Sequence, residues 1–261
     1  MKILPYDSRW PPEWTGQRRS GILLFGGVFL GLIALGAVSQ LSRGPFIFAV
    51  VAVYFGHLAA MSLHSYGGGR RRTDTTGVQE TAEGLVFRYA AAPTYLVGAF
   101  SVLTIVALAG LSIAAAAQAT VEGYVICVAV AVLAVLMLVF LVVFLRLAPG
   151  RVVIGPDGFH HRGLTFTHFV PWEAVSDVAA LWAGSPVVFV HTIGSPRTLT
   201  HNYLGRDTAG PRTLSPFDTV SGRWLAADPG LLLRALAYYI GHPADRSELA
   251  AGTALRRVTA L

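Results

Sequence analysis

The chain has 261 residues, 54% of them hydrophobic and only 13% charged, with a mean hydropathy of +0.57, which excludes an ordinary soluble domain and makes lipid the solvent for part of it. The formal net charge is +6, but basic residues beside apolar runs report topology and anionic headgroups before nucleic acid, so no nucleic-acid partner is expected. Cys127 is the only cysteine and lies inside an apolar run, which excludes an intrachain disulfide.

Residues 1–20 carry Lys2, Arg9, Arg18 and Arg19 among Trp10, Pro11, Pro12 and Trp14. They lack apolar periodicity and read as a cytoplasmic tail with interfacial tryptophans. A transmembrane region follows over 21–146, with four spans at about 22–38, 45–63, 95–117 and 124–145, each long enough for a hydrocarbon core of about 30 Å. A signal peptide ending near Ala37-Val38-Ser39 competes for the first run, but three further runs favour a true span. Gly27 and Gly31 form a G-x-x-x-G pair that admits a close neighbour helix. The loop at 64–94 contains Gly67-Gly68-Gly69 and the cluster Arg70-Arg71-Arg72. It reads as flexible and positively charged, and the three arginines are candidate contacts for the anionic headgroups of the bilayer, topology alone being the competing explanation. Leu85, Phe87 and Tyr89 alternate with Arg88 as in a strand, which is expected to pair with an edge of the C-terminal sheet.

Lys2, Arg9, Arg18, Arg19, Arg70, Arg71, Arg72, Arg88, Arg146 and Arg151 fall on one side of a four-span arrangement, against Arg43 on the other. Both termini are therefore expected in the cytoplasm. Within the spans His57 is the candidate intramembrane polar site, with Tyr54 one turn back. A polar seam and plain helix-helix hydrogen bonding both account for it.

From Arg151 the pattern becomes strand-like, with Val152-Val153-Ile154, the turn Pro156-Asp157-Gly158, and further β-branched runs at 187–193 and 198–204. Asp228-Pro229-Gly230 then opens a helix whose apolar face carries Leu232, Ala235, Leu236, Tyr239 and Ile240. His160, His161 and His168 are close in sequence, but His160 and His161 point to opposite faces of a strand and cannot readily share an ion. No metal, cofactor or catalytic set is expected, because H-E-x-x-H, G-x-S-x-G, P-loop and C-x-x-C patterns are all missing.

The run Val152-x-Ile154, Pro156-Asp157-Gly158-Phe159, then Val170-Pro171-Trp172-Glu173-x-Val175-x-x-Val178, resembles the opening of bacterial PH-like domains attached to membrane helices. The resemblance covers 151–241, with 242–261 as a tail; the run from Tyr239 to Leu249 is similar to tails of actinobacterial multi-pass membrane proteins. It implies an α+β membrane protein in which four transmembrane helices precede a cytoplasmic PH-like barrel or sandwich, with Trp172, Leu232, Leu236 and Tyr239 in its core and the C-terminal helix capping it. It departs from a lipid-clamping PH domain at the acidic Gly155-Pro156-Asp157-Gly158 turn, which disfavours phosphoinositide capture. Arg162, Arg197, Arg206 and Arg212 are left as a candidate basic face. The expected role is a non-enzymatic binding or scaffold component of the bacterial inner (plasma) membrane, with a protein partner or a second copy. A small transporter or channel subunit using His57, and an accessory subunit of a membrane enzyme, are the alternatives.

Overall fold

The computed structural model describes residues 10–15, 21–42, 45–67, 75–204 and 217–260. The chain divides into two compact units, one of Gly21–His64 and Ala92–Ala148, the other of Met1–Ser20, Ser65–Ala91 and Pro149–Leu261.

The first unit holds four helices, α1 (Gly21–Ser39), α2 (Pro45–Gly67), α3 (Ala91–Ala116) and α4 (Val121–Leu147). All four are long and apolar enough to cross a membrane, and their large side chains face outward, as with Ile113 (73% exposed) and Val128 (64%). Helices apolar on every side need an apolar solvent. The chain therefore reads as a multi-pass membrane protein. Small residues set the packing of α1 on α2. A Cβ on Gly27 would come within 2.7 Å of the Leu63 side chain, and Ser62 Oγ donates to the Leu23 carbonyl at 2.7 Å. The helix α3 begins before the expected 95, because Pro93 sits in its first turn, where no backbone N–H is needed. Thr120 caps α4 by accepting from Gly123 N at 3.0 Å.

The second unit is rich in antiparallel sheet, and with the helices it makes an α+β protein. Strands β1 (Val78–Thr81), β2 (Gly84–Arg88), β3 (Arg151–Ile154), β4 (Gly158–Arg162), β5 (Phe166–Pro171) and β8 (Leu199–Asn202) form one sheet in the order β1-β2-β3-β4-β5-β8. Strands β6 (Val175–Trp182), β7 (Pro186–Thr192) and β9 (Phe217–Ser221) form another, in the order β6-β7-β9. Among the described residues the two sheets do not close into the expected barrel.

Three further departures from the sequence reading share one cause, which is apolar surface with somewhere to go. The strand expected from Leu85 does pair with the C-terminal sheet, β2 lying against β3 with Leu85 opposite Ile154 and Arg88 opposite Arg151, and Leu85 and Phe87 are fully buried; the departure is β1, which makes 78–88 a hairpin where flexible loop was expected. Gly84 makes this approach possible, with φ +128° and a Cβ position that would overlap the Ile154 carbonyl. The tryptophans before the first span are not interfacial. Trp14 is 2% exposed and its Nε1 donates to Leu181 O at 2.7 Å, while Trp10 Nε1 donates to Asp228 Oδ1 at 2.9 Å. The stretch expected as a C-terminal tail is packed over 242–260, because α6 (Glu248–Ala251) and α7 (Ala254–Ala260) bury Leu249, Ala254 and Val258 in the same core.

That core is closed by α5 (Pro229–Gly241), whose Leu231, Leu232, Ala235, Leu236 and Tyr239 are fully buried. Asp228 caps it, accepting from Gly230 N at 2.8 Å.

Candidate functional site

Strand alternation sorts the residues of β4 between two faces. Phe159 and His161 point into the core, whereas His160 is exposed. On β5, His168 lies directly opposite His161 in register. From the other sheet, Asp218 on β9 comes between them. Its carboxylate oxygens lie 3.0 Å from His161 Nδ1, and Oδ2 lies 3.2 Å from His168 Nδ1. Tyr89, just past the end of β2, completes the set with its hydroxyl 2.7 Å from His161 Nε2.

The four groups form a buried polar chain joining both sheets to the β1–β2 hairpin. His161 is 1% exposed, and Asp218 and Tyr89 are each 7% exposed. Burial pushes the Asp218 carboxyl up, but the charge and hydrogen bonding of His161, followed by those of His168, outweigh it and hold the group well below the usual carboxylate range. Burial, reinforced by the Asp218 charge, pushes the Tyr89 phenol far above its ordinary value. Nδ1 of His161 donates to the Asp218 carboxylate and its Nε2 is hydrogen-bonded to the Tyr89 hydroxyl, so both ring nitrogens are satisfied. The order carboxylate, imidazole, hydroxyl matches a nucleophile relay in outline. Its phenol is shielded from solvent, and the hydrogen bonds tie β4 and β5 to β9 and to Tyr89. His168 Nε2 is buried and has no hydrogen-bond partner among the described residues.

On the outer face of the same sheet lies a cavity of about 550 Å³ bordered by Glu83, Arg151, His160, Arg162, Thr167 and Phe169. The His160 ring packs 4.5 Å from Phe169. Its pKa is lowered, first by burial and then by Arg151, against an upward pull from Glu83. Glu83 and Arg151 form an ion pair at 3.1 Å across the cavity rim.

The residues singled out from sequence fall into separate places. His57 Nε2 lies 2.7 Å from the Leu96 carbonyl and its ring stacks on Phe100, which also packs against Tyr54. The pair therefore makes a seam between α2 and α3. Trp172 is a core residue, its Nε1 donating to Gly155 O at 3.0 Å and its ring covered by the Arg246 guanidinium at 4.6 Å. Leu232, Leu236 and Tyr239 lie beside it in the core. Arg162 is on β4, and Arg197 pairs with Glu173 at 2.9 Å. Arg70, Arg71, Arg72, Arg206 and Arg212 lie outside the described residues.

Asp218 and Tyr89 were not recognisable beforehand as partners of His161. They stand 57 and 72 positions from it, and no local pattern links them. Among the described residues no group of three or more His, Cys, Asp or Glu is placed to hold a metal ion. No family model matches the chain, and neither a curated protein nor a solved structure matches it.

Proposed function

We propose that the chain is a multi-pass protein of a bacterial inner membrane, both termini cytoplasmic, whose sheet-rich unit is a PH-like module holding a protein partner or a second copy of the chain at the membrane surface. The observation that carries this reading is the interleaving of module and spans. Strand β2 runs into α3 through Tyr89 and Ala90, and α4 runs into β3 through Ala148, Pro149 and Gly150, while β2 and β3 are hydrogen-bonded neighbours. A module connected this way to the membrane helices at several points of the chain is tethered at the membrane, which suits a platform. Two antiparallel sheets followed by the packed helix α5 support the PH-like part of the reading. The one-sided arginines support the cytoplasmic placement. The engagement of His57 with the Leu96 carbonyl favours helix packing over a transport path.

Affinity isolation of the full-length protein from gently solubilised membranes tests the proposal, with a core-breaking Leu232→Asp variant alongside. The expected result is a co-purifying protein or a defined oligomer that the variant loses. A monodisperse, partner-free monomer, or a partner retained equally by the variant, would sink it.

A further inference from the structure

Register sets two rows side by side on the outer face of the larger sheet. Arg151 on β3 opposes Arg162 on β4, which opposes Thr167 on β5; two residues along each strand, Val153 opposes His160, which opposes Phe169. Residues of both rows line the cavity of about 550 Å³, a size within the range of small-molecule sites, roughly 300–1,000 Å³. The β1–β2 turn adds Glu83 to the lip. Its carbonyl packs on Gly155, where a Cβ would come within 2.9 Å of the oxygen, and its N–H donates to Thr81 Oγ1 at 3.2 Å. The backbone of Glu83 is thus held in place while its side chain stays 60% exposed.

Charge and shape select the occupant. Glu83 and Asp157 border the cavity with Arg151 and Arg162, two residues of each sign, a balance that favours neither a net anion nor a net cation. The Glu83–Arg151 pair, at 3.1 Å with side chains 60% and 42% exposed, contributes little by itself and is open to exchange. An anion that took Arg151 would leave Glu83 unanswered, and a cation that took Glu83 would leave Arg151 unanswered. A molecule with both charges on neighbouring atoms exchanges with the pair and answers each. Beside this pair the His160 and Phe169 rings lie 4.5 Å apart, tilted by 35°, one exposed and the other half-buried, an arrangement that can take a third ring in offset or edge contact. The lowered pKa of His160 keeps its ring neutral near pH 7 and adds no further charge to the wall. We propose that this cavity binds a free α-amino acid with an aromatic side chain, its ammonium on Glu83, its carboxylate on Arg151 and its ring against His160 and Phe169. The whole lining belongs to the sheet-rich unit and needs no protein partner, so this proposal and the platform reading can fail separately.

The test is calorimetric titration of the full-length protein in detergent micelles with L-phenylalanine, with phenethylamine, which keeps only the ammonium, and with hydrocinnamate, which keeps only the carboxylate. L-Phenylalanine should bind about tenfold more tightly than either, the worth of one charge-assisted contact. Glu83→Gln should weaken L-phenylalanine about tenfold and strengthen hydrocinnamate, because Arg151 is then released to an anion; a carboxylate serving only the fold would not move the two in opposite directions. His160→Ala should weaken all three. The control Glu13→Gln, which removes another exposed carboxylate, should change none of them. Equal binding of the three compounds, a parallel change for L-phenylalanine and hydrocinnamate in Glu83→Gln, or the same response in the control overturns the zwitterion assignment. Absence of saturable L-phenylalanine binding up to its solubility overturns the site.

Discussion

Asp218 is the residue on which the sheet-rich unit depends most sharply. Its carboxylate accepts from two histidines inside a shielded core, so Asp218→Ala leaves both imidazoles without their acceptor. The expected loss is about 3–5 kcal/mol, the range for removing one member of a buried pair. Tyr89→Phe deletes the hydroxyl and leaves His161 Nε2 unpaired, for which about 1–3 kcal/mol is expected. Denaturant titration followed by tryptophan fluorescence checks both values. A double-mutant cycle should show strong non-additivity, since both changes act through His161. The pH response follows from the depressed carboxyl. Unfolded aspartate binds its proton near about pH 3.9, so as pH falls the unfolded chain takes up the proton before the folded one does. The stability from this group is complete above about pH 4 and is lost progressively below it. Asp218→Asn should flatten that acid limb in the same titration.

At the scale of elements, legibility in the sequence tracked how far each element's signal was local. Helix α5 could be read because its cap, its first-turn proline and its apolar face all lie within Asp228 to Gly241. The spans could be read because lipid exposure makes every face apolar. The hairpin β1–β2 was half legible: alternation marked Leu85 to Tyr89 as a strand, but β1, Val-Gln-Glu-Thr, buries only its first residue and carries almost no pattern. Trp14 ends a three-residue 3-10 turn and Trp10 precedes it, a stretch too short for any period, and their partners Leu181 and Asp228 lie far along the chain. Trp14→Ala should therefore cost about 3–5 kcal/mol, as for other buried tryptophans, whereas a membrane-interface tryptophan would leave denaturation of the sheet unit unchanged. The pairing of β2 with β3 has its own check. In a Cys127→Ser background, cysteines at Val86 and Val153, which are register partners, should crosslink through a short bifunctional reagent. A Val86 and Leu181 pair, on different sheets, should not.

For the molecule as a whole, the composition of the sheet-rich unit constrains how the chain can cross a bilayer. That unit draws on residues before α1, between α2 and α3, and after α4. Trp14 packs on β6, and β2 pairs with β3, so all three segments must lie on one side of the membrane. Hence α1 with α2 must cross an even number of times, and so must α3 with α4. Four helices of sufficient length and hydropathy meet this condition as two hairpins, leaving the turn at Gln40, Leu41 and Ser42 and the turn before Thr120 on the opposite side. The argument rests on contacts inside one unit and is independent of the arginine bias, which adds only the choice of side. Single cysteines at Glu13, Glu173 and Arg256 should react with an impermeant maleimide from one face of sealed vesicles, and cysteines at Ser42 and Gln118 from the other. Labelling of Ser42 and Glu173 from the same face would mean that α1 and α2 do not both cross, and the sheet-rich unit could not then be assembled from its three segments across a bilayer.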